Sequence, residues 1–267
     1  MTMIYHSQVE PIYFLLPLAG LIIGLFGSML GGGGGFFFLP VLTLLIGIPA
    51  PTAVTTSLVA TLPVCFVGSL GHYRKNNIDF RTAAVFALAG IAGAFIGAGI
   101  INRISTSQLK VSFGAYSVFI ALNIAFSTWR KTRAGRGGAK QQNNSGMAKI
   151  TKGSLFGLLA GIITGTFGTS GTAPVLAGLF SMNIPFKLVM GTSLIIVLAN
   201  TIFAASAHFL VGKADLTLVA FLTAGSLIGS LLGPQILSKL KTDQSENKIK
   251  YLYALAIFII GVSMIIG

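Results

Sequence analysis

Gly31-Gly32-Gly33-Gly34-Gly35-Phe36-Phe37-Phe38-Leu39-Pro40 decides how the chain is read. Five consecutive glycines do not continue a helix, since each costs about 1 kcal/mol there relative to alanine. Yet no charged side chain occurs from Pro11 to Tyr73 to hold the run in water. The break therefore belongs inside a membrane-embedded region. Irregular backbone survives there only where protein or a water-filled cavity surrounds it, because lipid offers no hydrogen-bond partner.

Composition agrees. Of 267 residues 9% are charged and 54% hydrophobic, and the mean hydropathy is +0.86, which excludes an ordinary soluble domain. The formal net charge of +13 collects in short hydrophilic segments, so it reads as topology rather than as a nucleic-acid surface. Cys65 is the only cysteine, which leaves no intrachain disulfide and no thiol cluster for a metal. No signal peptide is read at the N-terminus, because no Lys or Arg precedes the first apolar run; residues 1–10 read as an exposed tail.

Working outward, apolar segments fall near 11–30, 36–48, 52–72, 82–101 and 110–129, then 153–167, 172–183, 188–211, 216–238 and 250–266. A span needs about 20 apolar residues, so 36–48 and 172–183 read as re-entrant or broken pieces. Residues 11–129 form a first repeat and 150–267 a second. Between them, 130–149 form a flexible, basic linker. Thr56, His72 and Asp79 recur as Thr192, His208 and Asp215 (192−56 = 208−72 = 215−79 = 136), and Gly31 and Gly34 as Gly168 and Gly171 (168−31 = 171−34 = 137).

The segment from Arg130 to Lys152 holds seven Lys or Arg and no acid, so it is placed in the cytoplasm. Counting five segments either way puts every strongly basic loop on that side and both termini outside, which predicts inverted repeats. Four-span halves with parallel repeats are the competing arrangement. The fold class is thus an all-α polytopic membrane protein of two repeats, each with a glycine-rich broken helix near the midplane.

Candidate site residues follow from that class. In inverted-repeat transporters, broken helices aim their N-termini at an anionic group. Gly32, Gly33, Gly34 and Gly35 open one short segment, and Gly168, Thr169, Ser170, Gly171 and Thr172 open the other. Thr166 and Ser28 are further hydroxyls nearby. Thr55, Thr56 and Ser57, with Thr192 and Ser193, line the site or cap their own helices. Asn200 and Asn123 lie within apolar segments and need partners. Gly20, Gly24, Gly93, Gly97, Gly229 and Gly233 read as helix-crossing residues.

His72 and His208 begin polar loops ending in Asp79 and Asp215. They suggest a proton relay, against the plainer reading of loop-end histidines and N-cap aspartates. No carboxylate lies within an apolar segment, and no cofactor or metal motif appears. Expected partners are a small anion and the lipid bilayer, with no nucleic acid; the oligomeric state is left open.

The glycine break, the following proline, Pro51-Thr52-Ala53-Val54-Thr55-Thr56-Ser57-Leu58 and downstream His72 together resemble the sulfite exporter TauE/SafE family of membrane permeases, over nearly the whole chain. The resemblance implies bacterial inner-membrane transport of small anions such as sulfite or organosulfonates. The second copy, with Gly168-Thr169-Ser170-Gly171 and nearby Lys187, departs from a glycine-rich pattern in a way that bears on anion preference. Transport by alternating access around a midplane site is the expected function. A passive anion channel is the main alternative, and a membrane-embedded enzyme, lacking any catalytic grouping, a lesser one.

Overall fold

The structure, a computed structural model, describes residues 4–101, 104–133, 146–182, 184–210, 212–239 and 243–267. The first repeat comprises α1 (Leu16–Met29, entered through a 3-10 turn at Pro11–Leu15), α2 (Gly35–Pro40, continued by a π turn over Val41–Leu45), α3 (Ala50–Tyr73), α4 (Phe80–Ile101) and α5 (Thr106–Arg133). The second comprises α6 (Gly146–Phe167), α7 (Thr172–Ser181), α8 (Phe186–His208), α9 (Leu216–Lys239) and α10 (Asp243–Ile266). Among the described residues eight helices are long and apolar enough to cross a membrane, while Gly35–Leu45 and Thr172–Ser181 are too short. The chain is an all-α polytopic membrane protein.

Each long helix begins where local chemistry starts one. Pro49 and Pro185 stand at the N-caps of α3 and α8, with ψ of 144° and 142°. Asp79 and Asp215 precede α4 and α9, accepting the N–H of Thr82 (3.1 Å) and of Leu218 (3.3 Å), as N-cap carboxylates do. α5 continues to Arg133 and α6 begins at Gly146, within the limits read for the linker; residues 134–145 lie outside the described set.

Packing fixes the relation of the repeats. Gly225 packs on Pro17 and Leu21, Gly229 on Leu21 and Leu25, and Gly233 on Ser28, so α1 and α9 run parallel. Gly157 packs on Phe86, Gly161 on Gly90 and Ala94, and Gly165 on Ala94 and Ala98, so α4 and α6 run parallel as well. A Cβ at Gly24, Gly93 or Gly229 would strike the partner's backbone; these glycines exist for close crossing.

The equivalent helices α3 and α8 are antiparallel. Thr192, early in α8, bonds Asp79 beyond the end of α3, and Thr56, early in α3, bonds Asp215 beyond the end of α8. The pair α5 and α10 is antiparallel too, with Gly114 against Gly261 and Asn247 reaching Thr132. Exchanging the two repeats maps the pair α1–α9 onto α6–α4 and each of the antiparallel pairs α3–α8 and α5–α10 onto itself, so equivalent helices point in opposite directions. The repeats are inverted, as charge bias predicted.

The N-terminal residues are exposed but tethered. Ile4–Tyr5 (β1) pair in parallel with Ala214–Asp215 (β2), and Ser7 N–H donates to Asp215 Oδ1 at 3.3 Å. Burial, with Asp215 nearby, raises the Tyr5 phenol above its ordinary pKa. At the other end Lys110, at the start of α5, donates to the carbonyl of Gly267. Both ends of the chain therefore lie on one face, here the terminal face, and the linker ends lie on the opposite, linker face.

Candidate functional site

The two glycine breaks meet in the middle of the fold. Gly31, Gly33 and Gly34 take φ of 73°, 62° and 83°, and Gly168 and Gly171 take 62° and 51°, so the same two positions of each break are left-handed. Gly34 and Gly171 are the N-caps of α2 and α7. A Cβ on Gly35 would stand 3.0 Å from the Ser170 amide nitrogen, and one on Gly32 would stand 3.2 Å from Thr172 Oγ1. Thr172 Oγ1 donates to Ser170 Oγ at 2.7 Å and approaches the Gly32 carbonyl at 3.5 Å. Thr169 Oγ1 is buried with no partner. The structure thus brings Gly32, Gly35, Thr169, Ser170 and Thr172 together at a buried, uncharged contact between the two breaks.

The other predicted hydroxyls are occupied elsewhere. Ser57 donates to the Gly168 carbonyl (2.9 Å) and Ser193 to the Gly31 carbonyl (2.7 Å), each holding the opposite repeat's break. Thr56 and Thr192 accept the backbone N–H of Asp215 and Asp79, again across the repeats. Thr55 bonds its own helix at Pro51, and Thr166 bonds the Gly97 carbonyl. Gly33 lies against Cys65 Sγ and Thr61.

The histidines do not begin loops. His72 and His208 sit in the last turns of α3 and α8, buried, with Nε2 against the carbonyl of Ser28 (3.0 Å) and of Gly165 (2.6 Å). These carbonyls belong to the final turns of α1 and α6, where intrahelical donors run out. Asp79 instead takes Thr82 Oγ1 (2.6 Å), and among the described residues no hydrogen bond joins a histidine to an aspartate. Lys187 points away from Thr192 and Ser193 to the Ser238 carbonyl at the end of α9 (3.2 Å), so it brings no cation to the breaks. Asn200 is fully buried beside Gly90 with neither amide atom bonded, and Asn123 is exposed on the cavity described next.

A cavity of about 440 Å³ leads to the breaks from the linker face. Its mouth carries Thr128, Asn247 and Lys250, and its inner end Leu30, Ala173, Met190 and Tyr253. Lys250 Nζ lies 4.5 Å from the Phe186 ring centroid. Toward the terminal face, aromatic rings fill the corresponding space. Phe36 packs on Phe113 (5.1 Å) and Tyr116 (6.2 Å), and Tyr116 stacks on Phe167 (6.0 Å, 14°).

The family described as Sulfite exporter TauE/SafE matches residues 16–264. The chain belongs to this family. A probable membrane transporter protein of Xylella fastidiosa (strain 9a5c) is 26% identical over 253 residues, covering 92% of each chain. YdhB and YjnA, probable membrane transporter proteins of Bacillus subtilis (strain 168), are each 26% identical, over 82% and 93% of this chain and 88% and 98% of their own. No solved structure matches the chain. These relatives make it a membrane transporter homologue.

In this TauE/SafE chain the open and closed faces are built from equivalent positions. Phe36, Phe113, Tyr116 and Phe167 have as counterparts, each 137 residues away, Ala173, Lys250, Tyr253 and Leu30. The first four form the plug, of which Tyr116 also borders the cavity, and the second four line the cavity. Sequence reasoning missed both sets. The signal available was the shared register of Tyr116 and Tyr253 with the glycine breaks.

Proposed function

We propose that this TauE/SafE chain transports a small anion, sulfite or an organosulfonate by the family's chemistry, by alternating access around the two facing breaks. The observation that carries this is the uncharged meeting of the two breaks at Gly32, Gly35, Thr169, Ser170 and Thr172, beside a cavity that reaches the neighbouring Leu30 and Ala173. Anions are held well by helix N-terminal amides without a fixed cation. A site at the breaks that holds its anion without a fixed charge also lets it leave again, as transport requires.

The cavity, open to the linker face and blocked by aromatic rings toward the terminal face, supports alternating access over a passive channel. With the basic linker in the cytoplasm of a bacterial inner membrane, and both termini in the periplasm, this is an inward-facing state.

The test is uptake of radiolabelled sulfite, with sulfonates as competitors, into proteoliposomes bearing wild type or Gly32→Ala. Gly32 has no left-handed φ, and its nearest new contact is a movable hydroxyl, so the variant folds while a methyl is added between the breaks, beside Thr172 and Tyr253. Saturable, competed flux that Gly32→Ala abolishes supports the reading. Flux of no anion, or flux indifferent to the methyl, sinks it.

A further inference from the structure

Two tyrosines stand at the breaks with hydroxyls that nothing in the fold employs. Tyr253, on α10, is 7% exposed; its hydroxyl lies 3.7 Å from where a Cβ on Gly32 would be, and it makes no hydrogen bond among the described residues. Its ring is fixed edge-on against Phe37 (5.8 Å). Tyr116, on α5, has a buried hydroxyl without a partner, and its ring is fixed by Phe36 and Phe167. Both residues line the 440 Å³ cavity. They are 137 residues apart, the separation of the breaks themselves, so the inverted repeats supply one phenol each.

A buried hydroxyl without a partner calls for an explanation, because nearly all such groups are bonded. A phenol donates one hydrogen bond and is well suited to an anionic oxygen. Thr169 Oγ1, 1% exposed and also without a partner among the described residues, is an uncharged donor just before α7, where the second break meets Gly35. Lys250 is the one charged side chain among the described residues that line the cavity, and its Nζ stands 4.5 Å from the Phe186 ring centroid. Neutral donors with a single cation balance one negative charge, whereas a dianion in a low-dielectric site calls for more fixed positive charge.

Resting on the anion-transport reading, we propose that the hydroxyls of Tyr116 and Tyr253 bind the acid group of the substrate, and that the bound species is a monoanion, such as hydrogensulfite or a sulfonate. Tyr→Phe removes the donor and keeps the ring, so packing and substrate contact separate cleanly. The experiment measures the concentration dependence of methanesulfonate and sulfite flux in proteoliposomes for wild type, Tyr116→Phe and Tyr253→Phe, with the melting temperature of each purified protein. Sulfite is also measured across its second ionisation.

Each variant is expected to raise the half-saturating concentration of both probes at least tenfold while the melting temperature holds. Wild-type sulfite flux at fixed total sulfite is expected to fall as pH rises and the dianion replaces the monoanion. Saturable wild-type flux with unchanged half-saturation in both variants overturns the tyrosine assignment alone, as does a loss confined to maximal flux or to melting temperature. Sulfite flux that rises with pH overturns the monoanion. A wild type that moves neither probe overturns this assignment together with the transport reading.

Discussion

Ser193 Oγ donates to the Gly31 carbonyl at 2.7 Å across 162 residues of sequence, so the hydroxyl that opens α8 fixes the glycine break of the other repeat. The inverted counterpart, Ser57 to Gly168, is 2.9 Å. Removing either hydroxyl leaves a buried carbonyl unpaired, which costs about 1–3 kcal/mol. Ser57→Ala and Ser193→Ala should each lower the melting temperature in detergent, and the double variant should lose more than either. Unchanged melting in all three would show the braces to be incidental.

Gly33→Ala should fail where Gly32→Ala succeeds. Gly33 has φ of 62°, and a Cβ there would collide with Cys65 Sγ. The backbone strain alone is about 1–2 kcal/mol for a residue with a Cβ. Adding Cys65→Gly relieves the collision but not the strain, so yield and monodispersity on size-exclusion chromatography should recover only in part. A fully behaved Gly33→Ala protein would contradict the packing of the first break on α3.

His72 braces the end of α1, with Nε2 3.0 Å from the Ser28 carbonyl, and the proton relay and this brace predict different variants. Gln places an amide donor near the position of Nε2, so His72→Gln should keep flux within about threefold of wild type with an unaltered pH profile, whereas His72→Ala should melt earlier. The expected penalty for the alanine is about 1–3 kcal/mol, from the Ser28 carbonyl left in the interior. A pH profile that flattens in His72→Gln would restore the relay.

The aromatic plug makes a prediction about sidedness. In a Cys65→Ser background, a cysteine replacing Ala177 in the cavity should react with a membrane-impermeant thiol reagent from the linker face only. Adding Phe36→Ala and Phe113→Ala, which deletes two of the four plug rings, should raise labelling from the terminal face several-fold. Labelling from both faces without those changes would mean that the rings do not close the path.

Much of the architecture was legible because hydropathy and charge are local properties. The eight spans, the two short segments, the register of the repeats and their inversion all followed from runs of apolar residues, glycine positions and the clustering of Lys and Arg. The N-cap role of Asp79 and Asp215 was also visible, since a cap bonds residues three positions on.

What the repeated polar residues bond was not legible. Thr56, Ser57, Thr192 and Ser193 recur as a ligand-binding pair would, yet each contacts a backbone group more than 100 residues away. Lys187 is near Thr192 in sequence and bonds the end of α9 in space. Composition with the register of its glycines and polar residues determined that this chain is a duplicated membrane protein, broken by glycine in each half. Only the tertiary structure decided which hydroxyls are spent on bracing and which stand at the meeting of the breaks, and that Phe36, Phe113 and Phe167 close one face while Ala173, Lys250 and Leu30 leave the other open. The reason is physical: a side chain's type is written in the chain, but its partner is set by which distant helix packing brings within hydrogen-bond or van der Waals reach.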